Sequence, residues 1–181
     1  MTPTEMLLLA AAAVLLFWVV GAYNRLVAQR TAIGQAWAKV HDALQLRGAA
    51  VPALVSALRE PMAAEHGALD ALLTTHTEAA RSASEMTARP VDSARALAWV
   101  QAEAAVDAAA SRVLALLEQH AELSRQEPLA TLTATWHDAQ ARLPYARQAF
   151  NEAAADYNEA VAQFPTNLVA RGFSLGRAGV L

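Results

Sequence analysis

The sequence predicts an all-α protein in which an N-terminal transmembrane helix continues into an antiparallel, up-and-down bundle of long helices. Three observations lead to this prediction. One uncharged apolar stretch of helical length lies near the N-terminus. Alanine makes up about a quarter of the 181 residues, and alanine favours helices and is depleted in strands. The rest of the chain has no period-two runs and no Asn-Gly or Asp-Gly hairpin turns, so nothing indicates a sheet.

The apolar stretch, MLLLAAAAVLLFWVVGAY, covers residues 6–23. As a helix it would be about 27 Å long, which is close to the hydrocarbon thickness of a bilayer. A cleaved signal peptide would need a positive n-region, which is missing here, and a core helix apolar on every face would need a larger protein around it. We therefore expect a retained membrane anchor formed by Met6, Leu7, Leu8, Leu9, Val14, Leu15, Leu16, Phe17, Trp18, Val19, Val20 and Tyr23.

The flanking charges predict the orientation of the anchor. Glu5 is the only charged side chain before it, whereas Arg25, Arg30 and Lys39 follow it. Lys and Arg near a membrane segment favour the cytoplasmic side. The prediction is a single-pass protein of the inner (cytoplasmic) membrane. A short N-terminal tail, 1–5, lies outside, and the bundle, 24–165, lies in the cytoplasm with a C-terminal tail, 166–181.

Prolines divide the soluble part into candidate helices. Pro61, Pro90, Pro128 and Pro165 separate stretches with helical periodicity near 24–59, 62–88, 91–126 and 129–164. The last stretch has apolar residues in steps of three and four, which predicts coiled-coil-like packing of large residues beside alanines. The large residues are 129, 136, 143, 150, 157 and 164, and the alanines are 139, 146, 153 and 160. Pro52 and Pro144 lie inside two of these helices, where we expect bends.

Two stretches of the chain resemble the LemA family of bacterial membrane-anchored helical proteins. Residues 23–55 contain Tyr23-Asn24, Ala36-Trp37 and a turn at Pro52. Residues 146–173 contain Phe150-Asn151, Tyr157-Asn158, Phe164-Pro165 and Phe173. The resemblance implies a single N-terminal anchor with a cytoplasmic helical bundle and no established catalytic activity. Some relatives are associated with bacterial organelle membranes, which suggests a role in membrane organisation.

The sequence gives no positive evidence for catalysis, a cofactor or a metal. None of the five histidines follows a Glu by three residues, and no His-Glu-x-x-His is present, so a metal site is not expected. No serine lies in a nucleophile elbow, no glycine-rich phosphate loop occurs, and cysteine is absent. The net charge of −3 argues against nucleic acid as a partner.

Five polar residues are candidates for partner binding or for fixing the register of the bundle: Asn24, Arg47, Arg147, Asn151 and Asn158. Asn151 and Asn158 are seven residues apart, and each follows a large core residue. They could form hydrogen bonds across helices, or form a polar strip that recognises a partner chain. The two arginines could pair with carboxylates across the bundle, but solvation is the default expectation. Asn24 could cap a helix or contact lipid headgroups.

The C-terminal tail is expected to be loosely ordered, because glycines at 172, 176 and 179 discourage a further helix. Its basic and apolar residues could instead contact an anionic membrane surface. For the whole chain we expect a non-enzymatic membrane-anchored scaffold or adaptor of the LemA type. Its partners would be the lipid bilayer and another protein or a second copy. The alternative is a sensory bundle that binds a small ligand between its helices.

Overall fold

The computed structural model describes residues 2–181, and within this range the chain forms helices and no strand. The α-helices are α1 (Pro3–Leu58), α2 (His66–Ala88), α3 (Ser93–Gln119), α4 (Ala121–Ser124), α5 (Glu127–Ala162) and α6 (Thr166–Gly172). A 3-10 turn, Ala63–Glu65, precedes α2. The predicted all-α bundle of long helices is confirmed.

Helix α1 joins the apolar segment to the bundle without a break. It begins with a capping box in which Thr2 and Glu5 satisfy each other's backbone N–H groups. Its most apolar 18-residue window has a mean hydropathy of 2.4 and no buried residue, whereas buried side chains recur from Leu26 onward. Within residues 2–181, α1 is the one helix long and apolar enough to cross a membrane. Pro52 lies inside α1 without ending it.

The bundle is built from two pairs of helices, α1 with α5 and α2 with α3. Gln29 donates to the Asp156 carbonyl, and Arg47 lies over Trp136. Increasing residue numbers along α1 therefore face decreasing residue numbers along α5. The connection between α2 and α3 lies beside α1 at Gly34, where an added Cβ would be 3.8 Å from Pro90. This connection therefore lies at the end of the bundle near Tyr23, which we call the proximal end.

The core consists of two apolar clusters stacked along the bundle. The proximal cluster contains Trp37, which packs edge-on against Trp99 with ring centroids 5.2 Å apart and against Phe150 at 6.2 Å. The Trp37 indole N–H donates to the Thr87 hydroxyl at 2.9 Å, which satisfies the one polar atom of that ring. The distal cluster is formed by the apolar residues of α1 beyond Ala50, the first turns of α2, and the facing parts of α3 and α5.

The apolar series predicted on α5 is largely the buried face. Leu129, Trp136, Leu143, Phe150 and Tyr157 are buried, as are the alanines at 139 and 160. Ala146 and Ala153 are only partly buried, and Ala154 takes the inner position beside Ala153. Phe164 was predicted in this series and is 77% exposed. That prediction is wrong because the residue before a proline is disfavoured in a helix, and α5 ends at Ala162, ahead of Phe164-Pro165.

Two further boundaries differ from the prediction. Helix α5 begins before Pro128, because a proline is tolerated in the first turn, where its missing N–H would have no helical partner. The predicted helix 91–126 is divided at His120 into α3 and α4.

The expectation of a loosely ordered tail is also wrong. Residues 166–172 form α6, and the segment from Ser174 to Leu181 lies along α5 and the start of α3. Side chains of α5 hold this segment by hydrogen bonds, which supply the order that its glycines alone would not give.

Candidate functional site

The most unusual feature of the bundle is an ion pair in its interior, between the two apolar clusters. Arg47 on α1 donates through both terminal nitrogens to the Glu103 carboxylate on α3, at 2.7 and 2.6 Å. The side chains are 2% and 1% exposed, and they are the buried charged residues of the chain from residue 2 to 181. A two-bond guanidinium–carboxylate pair fixes both distance and orientation. It therefore fixes the register of α1 against α3.

The surroundings of Arg47 are partly aromatic and partly open. Its guanidinium carbon lies 5.4 Å from the centroid of the Trp136 ring, within cation–π range. On the other side is a cavity of about 360 Å³ between α1, α2 and α3. Its polar lining is His41, Gln45, His76, Ser84 and the ion pair, and Leu44, Gly48 and four alanines complete the wall. Three buried nitrogens at this cavity have no hydrogen-bond partner among the described residues: Arg47 Nε, His41 Nδ1 and His76 Nδ1. The cavity therefore offers polar atoms that a small polar ligand could use.

The charge state of His76 responds to this environment. Burial lowers the pKa of His76 below its ordinary 6.5, and the positive charge of Arg47 lowers the pKa further, while Glu103 and a backbone hydrogen bond with Gly48 oppose both effects. A histidine at this site is therefore neutral at physiological pH.

Acidification is expected to destabilise the bundle through His76. Its pKa is lower in the folded chain than in the unfolded chain, so the unfolded chain takes up the proton more readily. The contribution of His76 to stability is therefore complete above about pH 6.5 and is lost as the pH falls toward the folded pKa. Denaturant unfolding of the wild type and of His76→Gln across this range should show a weaker pH dependence for the variant. Parallel curves would contradict the assignment.

The predicted Asn151 and Asn158 pair binds the chain's own C-terminal segment. The Asn158 amide donates to the Ala178 carbonyl at 3.0 Å and accepts from the Ala178 N–H at 2.7 Å. Asn151 makes the same two bonds with Leu181, at 2.8 and 2.7 Å. Beside Asn158, the Tyr157 hydroxyl donates to the Gly176 carbonyl at 2.9 Å, at the start of the held segment. We call Asn151, Tyr157 and Asn158 the clasp.

The spacing of the clasp matches the geometry of the segment it holds. Seven residues along a helix rise about 10.5 Å, and three residues of extended chain span about 10 Å. Asn151 and Asn158 therefore meet the backbone at Leu181 and Ala178 without strain. The approach to α3 is also close, since a Cβ on Gly179 would lie 2.6 Å from the Cβ of Ala96. A side chain at position 179 would push the segment off the bundle.

Removing one clasp residue is expected to release the segment locally. Asn158→Ala deletes two hydrogen bonds, with an expected cost of about 1–3 kcal/mol. Hydrogen exchange should show the Ala178 amide protected in the wild type and exchanging much faster in the variant. Gln148→Ala is the matched control, because Gln148 is an exposed amide on the same helix that bonds only Glu152. Unchanged exchange at Ala178 in Asn158→Ala would contradict the role of the clasp.

The remaining predicted residues lie apart from both features. Arg147 stacks over Trp99, with its guanidinium carbon 4.7 Å from the ring centroid, and has no carboxylate within 4 Å among the described residues. Asn24 is exposed on α1 just after Tyr23. The apolar anchor residues are exposed along α1, and only Val19 is half-buried. The predicted residues therefore do not form one site: Arg47 belongs to the ion pair, Asn151 and Asn158 belong to the clasp, and Arg147 and Asn24 belong to neither.

Glu103 was not among the predicted residues and Arg47 was expected to be solvated, although helical periodicity indicates that both are buried. Arg47 follows Leu44 by three residues on the buried face of α1, and Glu103 precedes Val106 by three on the buried face of α3. A charged residue at the core position of each of two neighbouring helices predicts a buried pair. His76 had a similar signal, since it follows Leu72 by four residues and precedes Ala79 by three on the buried face of α2.

The chain matches one protein-family model, described as the LemA family, over residues 36–180. None of the curated proteins matches it. The matched range contains the ion pair, the clasp and the segment that the clasp holds, and it begins beyond the apolar part of α1. The family resemblance drawn from the two terminal stretches is therefore confirmed over most of the chain, which belongs to the LemA family.

Proposed function

We propose that this chain is a non-enzymatic, membrane-anchored scaffold of the LemA type. It spans the bacterial inner membrane once, with its N-terminus outside and its bundle in the cytoplasm. The bundle is presented to protein partners or to the membrane surface, with a role in membrane organisation. The observation that carries this proposal is the continuity of α1, which serves as anchor in its first part and as core helix of the bundle in its second.

A continuous helix has a mechanical consequence that suits a scaffold. A flexible linker would let the bundle tumble freely. A helix that runs from residue 3 to residue 58 instead holds the bundle at a fixed orientation relative to the bilayer. The proximal end then faces the headgroups, and the sides of the bundle face the cytoplasm. The charge asymmetry around the anchor, with Glu5 before it and Arg25 and Arg30 after it, supports this orientation.

The sides of the bundle carry a surface suited to a partner. Tyr145 is 79% exposed and Leu46 is 45% exposed, and both line a groove between α1 and α5. The groove also contains Lys39, Asp42 and Arg142, so an apolar centre is bordered by charges of both signs. Exposed aromatic residues surrounded by polar groups are typical of protein-binding surfaces.

Site-specific photo-cross-linking in cells tests the scaffold role. A photoreactive phenylalanine analogue at Tyr145 should give a discrete protein adduct or a dimer of this chain. The same analogue at Thr74, an exposed position on α2, is the control and should not give that adduct. Introducing glutamate at Leu46 should abolish the Tyr145 adduct while leaving the bundle folded. Adducts absent at Tyr145 and at a panel of other exposed positions would contradict a scaffold that binds protein.

The cavity beside the Arg47–Glu103 pair favours a second candidate function, a sensory bundle that binds a small ligand. Its polar lining and its three unpartnered nitrogens are the specific observation. A ligand that binds only the folded bundle raises its melting temperature. A thermal-shift screen of small polar compounds, repeated on His76→Phe to fill the cavity, should give hits that the variant loses. Hits retained by the variant would place the ligand elsewhere.

A further inference from the structure

A second cavity, of about 470 Å³, lies at the proximal end of the bundle. Three separate parts of the chain form it: α1, the connection between α2 and α3, and the segment held by the clasp. Each contributes one arginine to the wall, namely Arg30, Arg89 and Arg177. The hydroxyl-bearing residues Ser93 and Ser174 also line it. We call this the arginine cavity.

The three arginines have no partner that explains their convergence. None has a carboxylate within 4 Å, and none donates a side-chain hydrogen bond to another residue in the described range 2–181. Each guanidinium carries five N–H donors. Bringing like charges together is unfavourable. The chain has a net charge of −3, so a cluster of three arginines is not a consequence of an excess of basic residues. An anion bound in the cavity would supply the counter-charge that these three arginines lack.

One carboxylate, that of Asp92, also lines the cavity but is already engaged. Its Oδ1 accepts the backbone N–H groups of Ala94 and Arg95 at 3.0 and 3.2 Å, and it caps the start of α3. The side chains of the cavity therefore contribute three positive charges against one negative charge. Because Asp92 already binds the N–H groups at the start of α3, these groups are not free to attract an anion. The attraction for an anion therefore comes from the arginines.

The position of the arginine cavity relates it to the membrane. Arg30 follows Tyr23 by seven residues, which is about 10 Å along α1. The headgroup layer on each side of a bilayer is about 5–7 Å thick. A cavity at this height can be reached by a lipid headgroup that bends toward the protein, and equally by a dissolved compound.

We propose that the arginine cavity binds a phosphate group through Arg30, Arg89 and Arg177. Guanidinium groups match phosphate oxygens with paired, charge-assisted hydrogen bonds, and Ser93 and Ser174 add neutral donors. The phosphate is that of an anionic lipid headgroup or of a soluble phosphate compound. The chemistry is the same in both cases, and it does not depend on whether the chain acts as a scaffold.

The clasp makes this site conditional on the C-terminal segment. Arg177 and Ser174 belong to the segment that Asn158 and Tyr157 hold against α5. Arg30 also lies close enough to Tyr157 for its charge to act on that hydroxyl's pKa, opposing the rise that burial causes. The α1 wall of the cavity therefore lies near Tyr157, whose hydroxyl binds the C-terminal segment at Gly176.

The test uses the full chain in nanodiscs and has two arms. In the first, inorganic phosphate is titrated calorimetrically into nanodiscs of phosphatidylcholine. In the second, native mass spectrometry counts the phosphatidylglycerol retained by the chain from mixed nanodiscs. The cavity variant is Arg30→Gln/Arg89→Gln/Arg177→Gln. The control variant, Arg81→Gln/Arg112→Gln/Arg125→Gln, removes the same charge from exposed arginines elsewhere.

We expect the wild type and the control to bind in at least one arm, and the cavity variant to bind at least about tenfold more weakly there. Binding of inorganic phosphate without retention of phosphatidylglycerol identifies a soluble compound as the source, retention of phosphatidylglycerol alone identifies a lipid, and a response in both arms shows that the site accepts either. Equal weakening in the two variants, or no binding by the wild type in either arm, would overturn the proposal. If the triple variant fails to fold, the single variant Arg177→Gln replaces it, because this side chain is exposed. Its binding should also be at least about tenfold weaker than that of the wild type.

Discussion

Glu103→Ala is expected to lower the free energy of unfolding by about 3–5 kcal/mol. The substitution leaves the Arg47 guanidinium in the interior, 2% exposed, without the carboxylate to which it donates two hydrogen bonds. Burying an unpaired charge is among the largest single-residue costs in a protein. Denaturant unfolding of the full chain in micelles, followed by circular dichroism, measures the change.

An exposed ion pair in the same chain provides the matched control. Arg59 and Asp70 have an N–O distance of 2.7 Å, much like the buried pair, but their side chains are 50% and 59% exposed. Asp70→Ala should therefore cost no more than about 1 kcal/mol. The double substitution Arg47→Met/Glu103→Leu removes both buried charges and should recover most of the loss. Equal losses for Glu103→Ala and Asp70→Ala would show that burial of the pair has no energetic consequence.

Tyr157→Ala is the second substitution with a large expected effect, about 3–5 kcal/mol. The ring is fully buried in the proximal cluster, and its hydroxyl donates to the Gly176 carbonyl. Truncation leaves a cavity in the core and also removes the bond of the clasp to Gly176. The effect should therefore combine lower stability with faster hydrogen exchange in residues 176–181.

Tyr157→Phe separates these two contributions. Phenylalanine keeps the ring and loses only the hydroxyl, so the expected cost falls to about 0.5–1.5 kcal/mol. The core should remain intact while the C-terminal segment exchanges faster. A Tyr157→Phe loss as large as that of Tyr157→Ala would contradict the assignment of most of the energy to the buried ring.

Helical periodicity and proline positions were sufficient to predict most of the fold. The buried face of α5 followed from the steps of three and four between Leu129 and Tyr157, because burial of a helix face imposes that spacing. Phe164 fitted the same spacing but lies outside the helix, because a neighbouring proline overrides periodicity.

The C-terminal segment could not be predicted in the same way. Its glycines disfavour regular structure, and its order comes from Asn151 and Asn158, which bind its backbone rather than its side chains. A segment that is bound through its backbone needs no particular side chains, so its own sequence does not indicate that it is bound. The asparagine pair itself was visible, and the sequence allowed a polar strip that recognises a chain, but the partner proved to be the same chain.

The arginine cavity depends on long-range assembly. Arg30, Arg89 and Arg177 are far apart in the sequence, and each alone looks like an ordinary solvated charge. Only the return of the C-terminal segment to the proximal end brings Arg177 to the other two. By contrast, Arg47 and Glu103 each lie at a core position of their own helix, so their burial could have been derived from local periodicity.

The membrane topology of α1 tests the central proposal most directly. The chain has no cysteine, so single cysteines can be introduced at Thr4, just ahead of the apolar segment, and at Ser56, exposed on the distal part of α1. Intact cells, and cells in which only the outer layers are breached, are treated with a membrane-impermeant maleimide. The expected result is that Thr4→Cys is labelled once the outer layers are open, while Ser56→Cys is labelled only after the inner membrane is permeabilised. Labelling of Ser56→Cys before that step would contradict a cytoplasmic bundle.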